Sequence, residues 1–232
     1  MKRKSKFCLM VAMLLSSFVG GQAQSKFGKH YDARMAEFAT MNDIDENTIV
    51  MLGNSLTENA GYHGGWQMLL GADNVSNRGI SGDTAVGILA RLNTILSKHP
   101  KAIFLMCGTN DLSHKLLPEQ VFERVCEVID SIRAEAPQTK LFVQSMLPFN
   151  ESTGRWKTLD GRTDDVPVIN DMLSSYCYGL DIPFVNIFPH LVIEGTNSLR
   201  MELTVDGLHL NSDGYAIWSQ VLRPYVEAVN KQ

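Results

Sequence analysis

Short apolar runs alternate with helical patterns along most of the chain. Phe27, Tyr31, Met35, Phe38 and Met41 recur at helical spacing, which predicts an amphipathic first helix. Five runs read as strands: Thr48–Leu52, Asn74–Asn77, Ala102–Cys107, Leu141–Ser145 and Pro183–Asn186. They are short and lack strict alternation, as strands buried on both faces do. Between them, Asp83 is placed to cap a helix whose apolar face includes Ile88, Leu89, Leu92 and Ile95. Pro118 opens another, carrying Val121, Phe122, Val125, Val128, Ile129 and Ile132, which must stop before Pro137. A further helix is expected over Val166–Tyr178. The last begins near Ser212 or Asp213, and Pro224 is expected to kink or divide it. This alternation predicts a three-layer α/β/α sandwich around a five-stranded parallel sheet in flavodoxin-like order.

Two polar segments, Asn150–Asp165 and Gly195–Thr204, fit neither period and read as loops. The first 23 residues read differently from the rest. Lys2, Arg3, Lys4 and Lys6 precede an apolar run from Phe7 to Val19, and Gly21-Gln22-Ala23 supplies small residues for cleavage. The run is shorter than the roughly 20 residues needed to span a bilayer. Residues 1–23 are therefore expected to be an export signal, and 24–232 one domain. The expected location is the periplasm or the extracellular space, with no stable membrane insertion once the signal is removed. Downstream of residue 23, 17 basic residues face 25 acidic ones. That balance argues against nucleic acid as a partner. Cys107, Cys126 and Cys177 show no CxxC spacing, so buried free thiols are expected and no metal site is.

In an open parallel sheet, ligands bind beyond the carboxyl ends of the strands. After the first predicted strand comes Gly53-Asn54-Ser55-Leu56-Thr57-Glu58. The second is followed by Asn77-Arg78-Gly79-Ile80-Ser81-Gly82-Asp83, and the third by Gly108-Thr109-Asn110-Asp111. Before the final helix comes Asp206-Gly207-Leu208-His209-Leu210. One edge of the sheet thus gathers a hydroxyl, an imidazole, a carboxylate, a carboxamide and Gly-flanked amides. That inventory suits acyl transfer. A serine hydroxyl needs a base within hydrogen-bond reach, and histidine titrates near neutrality. Asp206 lies three residues before His209, so its carboxylate can hold Nδ1–H while Nε2 faces Ser55. Ser55 N–H, Gly79 N–H and the Asn110 side-chain amide are candidate oxyanion donors. Asp83 and Asp111 read as local turn or cap residues.

Each motif alone is weak, but the ordered set resembles the SGNH hydrolases, also called GDSL-type lipases or acylhydrolases, over Thr48–Val226. The resemblance implies Ser55 as nucleophile, Gly79 and Asn110 as oxyanion-hole partners of the Ser55 amide, and Asp206 and His209 as the rest of a triad. It implies no cofactor. The stretches Asn77–Thr84 and Asp206–Leu210 are most similar to the intracellular platelet-activating-factor acetylhydrolase catalytic subunits. Exported bacterial members include carbohydrate and sialate O-acetylesterases. One departure stands out: Asn54 occupies the position where the family usually carries Asp. A Gly-x-Ser-x-Gly elbow is absent, which counts against the α/β-hydrolase fold.

Rim candidates are Arg78, His63, His114 and Trp156, with Arg155, Arg162 and Arg200 as further cations able to take a carboxylate. For His63 and His114 an ordinary loop role is the competing reading, and Trp66 reads as core. The expected activity is hydrolysis of short-chain acyl esters, acetyl esters first, on a small molecule or glycan. Lysophospholipase or thioesterase activity is the alternative. A non-catalytic glycan-binding role is disfavoured because binding needs no base and carboxylate pair. A nucleotide or flavin role lacks a Gly-rich phosphate loop. Oligomeric state is not legible in the sequence.

Overall fold

The computed structural model describes residues 27–232, so the expected export signal lies outside the described residues. Helix α1 (Lys29–Thr40) leads to β1 (Ile49–Gly53), the short α2 (Ser55–Glu58) and α3 (Gly65–Leu70). Strand β2 (Val75–Gly79) is followed by α4 (Ala85–Arg91) and α5 (Asn93–Leu96). Strand β3 (Ala102–Met106) leads to α6 (Thr109–Ser113) and the long α7 (Pro118–Glu135). Then come β4 (Lys140–Gln144), α8 (Asp165–Gly179), β5 (Phe184–Val185) and α9 (Ser212–Asn230). The sheet is parallel throughout, in the order β2-β1-β3-β4-β5. This is the expected flavodoxin-like order.

Alternation along the strands divides the core. Val50, Leu52, Ile103, Leu105, Leu141 and Val143 face α4, α7 and α8. Ile49, Met51, Phe104, Met106, Phe142 and Val185 face α3 and α9. Both faces are covered by helices, which is why β1 and β3 at the centre of the sheet read as continuous apolar runs. Helix α1 lies apart, packing Tyr31 and Phe38 on Ile80. Cys107, Cys126 and Cys177 are free and buried.

Two local expectations change, and one gains detail. Thr84, not Asp83, caps α4, accepting from Gly87 N–H at 3.3 Å. Helix α9 runs through Pro224 undivided. Pro224 and Gln220 are both exposed, so water can take the carbonyl that the proline leaves free. The 150–165 segment is an ordered loop: the Glu151 carboxylate accepts backbone N–H bonds from Gly161, Arg162 and Thr163.

Asp83 has a different task from the expected cap. Its carboxylate and the Arg91 guanidinium, each 1 % exposed, pair at 2.8 Å. Arg91 Nη2 also donates to the Gly53 carbonyl at 3.1 Å. The Asp83 backbone carbonyl accepts from Asn110 Nδ2 at 2.8 Å. One buried pair therefore ties together the ends of β1, β2 and β3. Burial is the largest influence on Asp83 and pushes its carboxyl up to about 6, even with Arg91 alongside. The pair is thus a device for position more than a net source of stability. Removing one partner is another matter, because the other charge stays buried and unpaired. Asp83→Ala should cost about 3–5 kcal/mol in urea denaturation. A loss below about 1 kcal/mol, the scale of an exposed pair, would show that Arg91 is not held as described.

Candidate active site

The site forms where three strand ends meet the loop before α9. Ser55 follows β1 as the first residue of α2. Its position depends on Asn54, the N-cap, whose Oδ1 accepts Leu56 N–H at 3.0 Å. Asn54 is 1 % exposed, so this bond is desolvated and the side chain is locked. The amide oxygen thus performs the capping that a carboxylate would, without adding a buried charge.

His209 reaches Ser55 from 154 residues downstream: Nε2 lies 3.0 Å from Ser55 Oγ. Its other ring nitrogen, Nδ1, lies 2.8 Å from Asp206 Oδ2. Asp206 Oδ1 meanwhile accepts the N–H groups of Leu208 and His209 at 3.0 and 2.8 Å. The Asp-x-x-His spacing therefore closes a tight turn. Burial alone would raise the Asp206 carboxyl, but the hydrogen bonds from His209 and Leu208 and the nearby imidazole bring it below the usual range. It stays ionised at neutral pH and holds the ring's proton on Nδ1, leaving Nε2 to accept from the hydroxyl.

The turn has its own support. Thr204 Oγ1 donates to the His209 carbonyl at 2.7 Å and accepts Gly207 N–H at 2.9 Å. Asn150 N–H donates to the Gly207 carbonyl at 2.7 Å. Trp156 Nε1 donates to the Asp206 carbonyl at 3.2 Å, and its ring meets the His209 ring edge-on with centroids 5.2 Å apart. Trp156, expected as a substrate contact, is thus a wall against the imidazole.

The donors need one correction. Gly79 N–H is taken by Asn77 Oδ1 at 2.9 Å. A Cβ there would strike the backbone of Thr57 and Glu58. Gly79 is glycine so that α2 can pack on the end of β2, not to donate to a ligand. Three residues on, Gly82 sits in a turn at φ +80° with open space beside its Cα. The neighbouring amides are taken: Ser81 N–H by Glu58, and Asp83 N–H by the Ile80 carbonyl at 3.1 Å. Among the described residues, none accepts Gly82 N–H. Asn110 uses one amide hydrogen on the Asp83 carbonyl and has a second available. Ser55 N–H, at a helix start, is a third such donor.

The remaining rim candidates separate. Arg78 is 3 % exposed and pairs with Asp43 beneath Phe38, so it is removed from the substrate-contact set. Arg162 donates to the Leu112 and Leu116 carbonyls, and Arg200 to that of His190, so neither is the free carboxylate-binding cation expected. Arg155 is exposed. His63 Nδ1 lies 3.0 Å from Ser212 Oγ, and its ring stacks on Tyr215, which braces α9 against α2. His114 closes α6 through its backbone and its ring is exposed. Trp66 is fully buried, its Nε1 donating to the Thr57 carbonyl. Asp111 is not the local turn or cap residue expected: it is buried and accepts Ala85 N–H at the start of α4, 26 residues earlier. Among the described residues, no group of three or more His, Cys, Asp or Glu is placed to hold a metal ion.

A hydroxyl, an imidazole held by a carboxylate and nearby N–H groups without protein acceptors can together carry an attack on a carbonyl and stabilise the resulting oxyanion. Known proteins point the same way. A family model for GDSL-like lipases and acylhydrolases matches residues 51–217. Platelet-activating factor acetylhydrolase IB subunit alpha2 of Rattus norvegicus is 24 % identical over 191 residues, covering 79 % of this chain and 76 % of that protein. Thioesterase 1/protease 1/lysophospholipase L1 of Escherichia coli is 32 % identical over 114 residues, covering 45 % of this chain and 53 % of that protein. In structure, a GDSL-like lipase from Bacteroides thetaiotaomicron superposes with a TM-score of 0.70 at 24 % identity, covering 85 % of this chain and 97 % of that one, and shares the fold.

The hydrogen-bond pattern predicts the Nδ1–H tautomer for neutral His209. Nitrogen NMR of ¹⁵N-histidine-labelled protein should show it, and Asp206→Ala should release the preference. A neutral wild-type ring protonated on Nε2 would contradict the geometry.

Proposed function

The chain belongs to the GDSL-like lipase/acylhydrolase family, and we propose that within it this protein is a serine esterase for short-chain acyl esters, acetyl esters first. The observation that carries the reading is the 3.0 Å approach of His209 Nε2 to Ser55 Oγ, with Asp206 behind the ring at 2.8 Å. Ser55 Oγ attacks the ester carbonyl carbon, and His209 Nε2 takes the hydroxyl proton. The C=O electron pair moves to oxygen, which is received by the N–H groups of Ser55 and Gly82 and by Asn110 Nδ2. As the tetrahedral intermediate collapses, the alkoxide leaves with the proton from His209. Water then attacks the acyl-enzyme with His209 as base and releases the acid. The protein's own groups complete this cycle without a cofactor.

Acetyl preference is supported by the acetylhydrolase named above. A glycan or other carbohydrate ester is the preferred alcohol part because residues 1–23 carry the pattern of an export signal. Periplasmic or extracellular location is part of the same proposal. The 32 % identity to the E. coli thioesterase and lysophospholipase over 114 residues favours a second reading, cleavage of longer acyl thioesters or lysophospholipids.

Purified protein is assayed on p-nitrophenyl acetate, acetylated sugars, acyl thioesters and lysophospholipid. Ser55→Ala should abolish turnover, and a fluorophosphonate should add once to wild type, at Ser55. Asn110→Ala should lower kcat about 10²–10³-fold. Full turnover by Ser55→Ala, or no labelling of wild type, contradicts the esterase reading.

A further inference from the structure

We propose that Glu58 is a positioning residue that locks the nucleophile's helix to the oxyanion turn, and that α1 is recruited to hold it in place. The inference rests on the esterase reading above. Glu58 is the last residue of α2, the four-residue helix that Ser55 opens. Its carboxylate accepts both the backbone N–H and, at 2.6 Å, the hydroxyl of Ser81. Ser81 immediately precedes Gly82, so the two bonds fix the peptide that leads into the Gly82 donor. The Glu58 backbone takes part as well. Its N–H donates to the Asn54 carbonyl at 3.0 Å. Its carbonyl accepts Asn77 Nδ2 at 3.1 Å, and Asn77 in turn holds Gly79 N–H. One residue thus joins the end of α2 to the whole 77–82 segment.

The other side of the carboxylate is filled from α1. His30 Nε2 lies 3.1 and 3.0 Å from the two Glu58 oxygens, and Arg34 Nε lies 3.2 Å from Oε1. The Glu58 side chain is 13 % exposed while His30 is 52 % exposed. The carboxylate is therefore mostly withdrawn from water, and α1 supplies a hydrogen-bonding imidazole and the Arg34 guanidinium that make this tolerable. Burial alone would raise the carboxyl, but hydrogen bonds from Ser81 and His30 hold it below the usual range, so it stays an acceptor. Ester hydrolysis as written assigns Glu58 no proton and no contact with substrate. Its effect should appear only where donor placement matters, in the transition state.

The test compares wild type, Glu58→Gln, Glu58→Ala and Ser55→Ala on p-nitrophenyl acetate. It also measures inhibition by a trifluoromethyl ketone, whose hemiketal with Ser55 carries the oxyanion. Glu58→Ala should lower kcat about 10–100-fold with KM within about twofold. Ketone affinity should fall by the same factor as kcat. Glu58→Gln keeps an acceptor for Ser81 N–H and should recover most of the loss. Should Glu58→Ala fail to fold, the double variant His30→Ala/Arg34→Ala loosens the carboxylate without touching α2 and should show a smaller drop with the same split. Wild-type kcat and ketone affinity in these variants, with Ser55→Ala silent, overturns the positioning role and leaves the esterase reading standing. Hydrolysis that survives Ser55→Ala overturns both.

Discussion

Arg91 lies fully enclosed between strand ends, with one nitrogen on the Asp83 carboxylate and another on the carbonyl of Gly53. Gly53 is two residues before Ser55, Asp83 directly follows Gly82, and the Asp83 carbonyl receives Asn110. The three groups assigned to the oxyanion come from three strands, and nothing in chain connectivity fixes their separation. The parallel ladder sets the spacing of the strands, and the buried pair adds a tie across their ends. A guanidinium suits the place because its planar fork serves two acceptors in one rigid geometry, which an ammonium does not. The desolvation cost of the pair is large, as the raised Asp83 carboxyl shows. Preorganised donors need no rearrangement when charge develops, which is a return in rate and not in stability.

The imidazole proposed as base is held by a separate assembly. Asp206 and His209 lie on a turn braced by Thr204, Asn150 and the Trp156 indole, all from loops and none from a strand. The donors are therefore anchored in the sheet, while the base is anchored in irregular segments over its edge. That division follows from topology: the chain comes back to the carboxyl ends in the loop between β5 and α9, so the imidazole must descend from a loop. It also explains why the 150–165 segment is polar yet ordered. Its Glu151 carboxylate replaces the missing ladder by accepting successive backbone N–H groups.

Much of this was legible in the sequence. The central strands β1 and β3 are apolar throughout because helices cover both faces, so their runs stood out. Ser55, Asp206 and His209 were legible because each sits in a short motif at an expected chain position. The second donor was misread. Gly79 and Gly82 are both glycines in one turn, and only the hydrogen bond from Gly79 N–H to Asn77 and the packing of α2 tell them apart. Arg78 looked available because a strand-end arginine is often exposed, but Asp43, 35 residues earlier, claims it. Glu58 and Arg91 were overlooked for a similar reason. Glu58 meets Ser81 23 residues away, and Arg91 reaches Asp83 eight residues away and Gly53 38 away; no local period signals such contacts. Trp156 was noticed as a rim residue, but its packing on the imidazole was not legible, since a tryptophan in a polar loop carries no sign of its partner.

The central claim is that an oxygen bearing negative charge is received by three specific N–H groups beside Ser55. A crystal structure of the protein phosphonylated on Ser55 tests it directly. The phosphonyl oxygen should lie within about 3 Å of Ser55 N, Gly82 N and Asn110 Nδ2, with His209 Nε2 facing the Ser55 oxygen. A phosphonyl oxygen bound by Gly79 N, or turned to solvent with Gly82 and Asn110 out of reach, would contradict it.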